Sequence, residues 1–183
     1  MASVLVPLAQ GCEELEAVTV VDLLRRAGIE VVTAGLDAQP VTASRGMTLL
    51  PDMTLEMALQ QSFDMVVLPG GLPGADHLGD DPRVIRLLQE MAASDAYTAA
   101  ICAAPRVLAL AGLLDGKRAT SYPGALDIEA VPGMEYLETA VVTDGRVITS
   151  RGPGTAMDFA LVLIETLVGK TKRDEVEAGL QRG

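Results

Sequence analysis

Residues 97–112 read YTAAICAAPRVLALAG. An apolar run of strand character leads into Cys102, and a helical run follows at once with Pro105 in its first turn, where a missing N–H costs nothing. A strand turning straight into a helix is the join from which parallel α/β sheets are built. Ala100 and Ala104, two places to either side of Cys102, are small enough for the strained turn of a nucleophile elbow. Cys102 then stands at the positive end of the helix, with the N–H groups of Ala103 and its neighbours open to a thiolate or an oxyanion. A small buried cysteine at a strand end fits the same residues. At this point both readings stand.

Outward from this join the same alternation repeats. SVLVPLA, IEVVTAG and DMVVLPGG are the other short apolar runs expected as buried parallel strands. EELEAVTVVDLLRRAG, PRVIRLLQEMAAS and PGTAMDFALVLIETLVG carry helical spacing, several closed by glycine. The pattern predicts a doubly wound α/β sandwich with a mainly parallel sheet, forming a single domain over residues 1–183. TAVVTDGRVITS, two alternating runs around Asp144-Gly145, predicts an inserted β-hairpin. RGMTLLPDMTLEMAL predicts a short strand and helix before DMVVLPGG, and KRDEVEAGLQRG a charged terminal helix that frays. No internal repeat, low-complexity tract or linker divides the chain. Ligands of such sheets sit beyond the carboxyl ends of the strands, which selects the loops AQGCEE, PGGLPGAD and CAAP.

Composition narrows the partners. A net charge of -11 argues against nucleic acid, which needs clustered Lys and Arg, and against anionic membranes. The first ten residues lack a basic region and run into Glu13, Glu14 and Glu16, unlike a signal peptide, and no apolar run reaches membrane-span length. Two cysteines without an export signal suggest a reducing cytoplasm. One histidine leaves a dedicated zinc or haem site poorly supplied with ligands, so no such metal site is expected. Hydrophobic residues at 49% suggest surface shared with a second copy, a homodimer.

Four further features bear on chemistry. Glu16 shares a helical stripe with Val20, Leu23 and Ala27, which points its carboxyl toward the core, where desolvation raises its pKa, while Glu14 can face solvent. An acidic first turn serving only the helix dipole is the alternative. Gly70 and Gly71 follow a buried strand and can offer N–H groups to an oxyanion, or simply form a turn; SRGPG can bind an anion or simply cap. His77, in a loop after Gly70-Gly71, reads as a surface or capping residue.

GCEELEAV, VVLPGG, AAICAAP and TSRGPGTAMDFAL, in register along the whole chain, resemble the ThiJ/PfpI superfamily and most closely its DJ-one subgroup. The resemblance implies a flavodoxin-like fold, a homodimer, and Cys102 as a reactive, oxidation-prone cysteine hydrogen-bonded by a protonated Glu16. It implies that Gly70, Gly71 and Ala103 line an oxyanion pocket, that Arg26 and Arg45 lie near the dimer interface, and that Arg151 and Pro153 approach the partner subunit's pocket. Tyr122, in TSYPGALD, stands where some members have histidine and supplies no imidazolium to the thiol. Ala103 after the cysteine argues against a peptidase, and the lack of histidine beyond His77 against a glutamine amidotransferase. The implied activity is a cofactor-free glyoxalase III or deglycase acting on methylglyoxal, glyoxal or early glycation adducts. A redox-sensing stress protein or chaperone is the alternative; there Cys12, placed to share a helix face with Glu16 and the sheet edge with Cys102, serves as a second redox thiol or as mere packing. A flavin- or nucleotide-holding module is the third reading, opposed by 3% aromatic content and the lack of a phosphate loop.

Overall fold

The structure, a computed structural model, describes residues 1–182. In chain order its elements are β1 (Ser3–Leu8), α1 (Glu14–Arg26), β2 (Glu30–Gly35), β3 (Val41–Thr42), β4 (Thr48–Leu49), β5 (Met53–Thr54), α2 (Leu55–Ala58), β6 (Met65–Leu68), α3 (Gly74–Asp80), α4 (Pro82–Ala93), β7 (Tyr97–Ile101) and α5 (Pro105–Leu110). There follow β8 (Arg118–Ala119), β9 (Glu135–Tyr136), β10 (Val141–Asp144), β11 (Val147–Ser150), α6 (Ala156–Val168) and α7 (Lys170–Gly179).

The main sheet has the order β10-β11-β7-β6-β1-β2-β5, and every pair in it is parallel except β10 with β11. Within it, β2-β1-β6-β7-β11 is the flavodoxin-like doubly wound order. Both faces are covered, which is why the strands read as unbroken apolar runs. Val4 and Val6 of β1 pack with Val20, Leu23 and Leu24 of α1 and Phe159 of α6. Leu5 on the opposite side joins Leu78, Val84, Leu88 and Val107 of α3, α4 and α5. Among the described residues no helix is long and apolar enough to cross a membrane.

The hairpin at Asp144-Gly145 forms as β10 and β11. The segment before β6 divides more finely than expected: β4 pairs with β3, whereas β5 joins the main sheet beside β2 and leads into α2. The charged terminal segment is helical as α7, laced by ion pairs such as Arg173–Glu177; its last residue, 183, lies outside the described residues. One expectation is corrected. His77 is not in a loop but on α3, a helix whose glycines and polar residues carry no apolar period. That helix lies so close to the β1–α1 turn that a Cβ at Gly74 would stand 2.6 Å from Cys12 Cα.

Candidate active site

Cys102 directly follows β7 with φ of +64°, in the left-handed region that a non-glycine residue enters only under strain. Its own backbone holds it there: the Cys102 N–H donates to the Ser150 carbonyl at 2.9 Å, and the Cys102 carbonyl accepts from Tyr122 N–H at 2.8 Å. Ala100 and Ala104 are fully buried against the turn, and Pro105 opens α5 as expected. Cys102 is 9% exposed and lies at a pocket of about 470 Å³ whose wall also includes Glu13, Ser44, Arg45, Gly71, Tyr122 and Pro153.

Glu16 reaches the cysteine from the protein side. It is 0% exposed, the odd polar member of the apolar stripe on α1. Its Oε2 accepts from Gly70 N–H at 2.8 Å, while Oε1 has no nitrogen or oxygen partner, an arrangement that suits a neutral carboxyl better than a carboxylate. Burial pushes the Glu16 pKa up to about 7, against the opposing pull of the Gly70 N–H and the Cys102 thiol. Desolvation, then the negative charge of Glu16 and its hydrogen bond, push the Cys102 thiol up to about 12, while the N–H groups of Gly71 and Ala103 favour the thiolate. Protonating Glu16 removes its charge and turns it into a donor, which brings the thiol back down. The pair therefore holds one negative charge more easily than two, and which partner carries it is a matter of where the proton sits.

Only a residue without a side chain fits between them. A Cβ at Gly70 would stand 2.6 Å from Cys102 Cβ and 2.8 Å from Glu16 Oε2. This placement corrects the expected oxyanion role of Gly70: its N–H is occupied by Glu16, so the donors left facing the sulfur are those of Gly71 and Ala103.

The other expected residues divide. Tyr122 is 52% exposed on the pocket wall, and its ring packs against Gly152. Arg45 and Pro153 also line the pocket. Arg151 instead turns to the Glu138 carbonyl at 3.0 Å, and Arg26 pairs with Asp22 at 2.7 Å on the surface of α1. Cys12 precedes α1 rather than sharing its face; it is 0% exposed, and burial followed by the charge of Glu14 pushes its thiol up to about 11, the surroundings of a packing residue. Both cysteines are free. His77 Nδ1 lies 2.9 Å from the Gln10 carbonyl and faces a separate cavity. Glu14 is partly exposed, as its place on the helix allows, and it also accepts hydrogen bonds from the turn at 44–47. That turn brings in Ser44, which the sequence reading missed; the signal for it was Gly46 between two short runs of strand character.

The chain matches the model of the DJ-1/PfpI family over residues 2–166. It is 47% identical to "Protein dj-1beta" of Drosophila melanogaster over 180 residues, 97% of this chain and 96% of that protein. It is 37% identical to the "Glutathione-independent glyoxalase DJR-1.2" of Caenorhabditis elegans, across 96% of this chain and 92% of that one. The crystal structure of Drosophila DJ-1beta superposes with a TM-score of 0.94 at 46% identity, covering 100% of this chain and 98% of the other. A structure described as Toxoplasma gondii DJ-1, oxidized, gives 0.90 at 37% identity over 98% of each chain. With that coverage and the cysteine elbow in place, the chain belongs to the DJ-1/PfpI family.

Proposed function

We propose that this protein is a cysteine-dependent enzyme that converts methylglyoxal or glyoxal to lactate or glycolate without a cofactor. The observation that carries the reading is the buried Glu16 carboxyl set against a strained, elbow-borne Cys102; the glyoxalase name of the nematode relative supports it. In this reading the Cys102 thiolate adds to the aldehyde carbon, forming a C–S bond and an alkoxide that the Gly71 and Ala103 N–H groups stabilise. Glu16 gives its proton to that alkoxide, and the resulting carboxylate removes the proton from the same carbon to leave an enediolate, whose hydroxyl proton passes to the neighbouring oxygen. Returning the proton held by Glu16 to the neighbouring carbon yields the lactoyl thioester, and water cleaves it to lactate and free thiol. An early glycation adduct presents the same kind of carbon to the thiol, which would make the protein a deglycase as well.

The test is lactate formation from methylglyoxal in the absence of glutathione and metal. The native protein is expected to form it and Cys102→Ser to lose at least about a hundredfold in kcat; a serine variant with native turnover would remove the nucleophile from the account. A redox-sensing reading rests on the same thiol and on the oxidized Toxoplasma relative. Mass spectrometry after mild peroxide checks it: sulfinate on Cys102 with no lactate activity would favour sensing over turnover. We also propose a homodimer, with Val18 on α1 and Leu50, both exposed and bordering one groove, as part of the shared face.

A further inference from the structure

Glu14 opens α1 two residues before Glu16, yet it faces a different neighbour. Its Oε1 accepts from Arg45 N–H at 2.9 Å and from Met47 N–H at 3.4 Å, and its Oε2 lies 3.1 Å from the Arg45 nitrogen and 3.0 Å from Ser44 Oγ. Ser44 Oγ also lies 2.8 Å from Glu13 Oε2, and Ser44 N–H donates to the Cys12 carbonyl at 2.8 Å. One carboxylate thus takes the Arg45 and Met47 N–H groups of the β3–β4 turn, shares the Ser44 hydroxyl with Glu13, and fastens the turn to the start of the helix that carries Glu16. These bonds hold the Glu14 pKa below the ordinary carboxylate value, against the cost of desolvation, so the latch is charged at neutral pH. The turn in its place contributes Ser44 and Arg45 to the wall of the Cys102 pocket. Glu14 takes only the backbone N–H of Arg45, and among the described residues the guanidinium is in no ion pair.

We propose that Glu14 is a positioning residue that fastens the Ser44–Met47 turn so that the Arg45 guanidinium stands in the pocket wall and favours reactants bearing a carboxylate beside the carbon that the thiol attacks. This rests on the reading of Cys102 as the nucleophile. A guanidinium presents a fixed fork of donors that matches a carboxylate, and the substrate class that follows is a reactive carbonyl compound carrying one.

The two charges at the turn give a test by sign. Cys102 is alkylated with iodoacetate, which carries a carboxylate, and with neutral iodoacetamide, and the ratio of the two rate constants is compared among variants. Arg45→Gln is expected to lower that ratio by about three- to tenfold, the effect of one charge at pocket distance in a partly aqueous site, with the iodoacetamide rate little changed. Glu14→Ala removes a negative charge, so a merely electrostatic Glu14 would make the ratio rise; a positioning Glu14 makes it fall, because Arg45 is released. An unchanged ratio in Arg45→Gln, or a rise in Glu14→Ala, overturns the proposal. Because Arg45→Gln leaves the backbone latch intact, it can still overturn the proposal if Glu14→Ala does not fold. Lactate assays of the native protein run separately: no lactate with both ratio shifts present would remove the catalytic reading and leave Arg45 as the selector at the thiol.

Discussion

Cys102 sits at φ of +64°, and its backbone partners on β11 and at Tyr122 hold it there whatever its side chain does. At ordinary φ, glycine is less stable than alanine by roughly 0.5–1 kcal/mol. At this position the left-handed strain on alanine, about 1–2 kcal/mol, offsets that loss. Cys102→Gly is therefore expected to be at least as stable as Cys102→Ala in urea unfolding; a glycine variant weaker by the ordinary margin would argue against a strained elbow. Glu16 makes a second prediction at this scale. Folding raises its pKa from 4.5 to about 7, so the folded state binds the proton more tightly than the unfolded one. The stability it contributes is complete below about pH 4.5 and is lost as pH rises toward 7. Glu16→Gln, which cannot ionise, should flatten that decline when unfolding free energy is followed across the same range. A decline unchanged in the variant would assign it to another group.

At the scale of elements, the site is a meeting of three strand ends with two helix starts, and a single glycine sets their spacing. Gly70→Ala places a Cβ against both Cys102 and Glu16, with a cost on the order of 1–3 kcal/mol in thermal or urea unfolding and loss of activity along with it. Native stability in that variant would mean that the loop after β6 has room to move. The strands and long helices were legible because each buries a continuous face, and Cys102 with Glu16 were legible because an elbow needs small neighbours and a charge on an apolar stripe stands out. That Glu16 claims the Gly70 N–H is not legible in the sequence, because a backbone donor carries no sign of which acceptor takes it. α3 is hidden in the sequence for a related reason: GADHLGD has no apolar period, and close packing against the Cys12 turn holds it in the fold. The Glu14 latch was invisible for want of any sequence cue linking it to residues thirty places away.

Across the whole molecule, the sheet brings loops from residues 9–13, 69–73 and 102–105 to one edge, as the switch-point rule for doubly wound sheets requires. The groove bordered by Val18 and Leu50 lies apart from that pocket. Val18→Asp is expected to turn a dimer into a monomer in sedimentation equilibrium without unfolding it, because a charge there has no partner once covered; a wild-type monomer would contradict the shared face. The account as a whole depends on Glu16 moving a proton rather than filling space beside the sulfur. The most direct measurement is kcat for lactate formation by Glu16→Gln, with Cys102 alkylation by iodoacetamide as the control for an intact elbow. A loss of about 10²- to 10⁴-fold with alkylation retained is the predicted result. Turnover within a few-fold of native would contradict it.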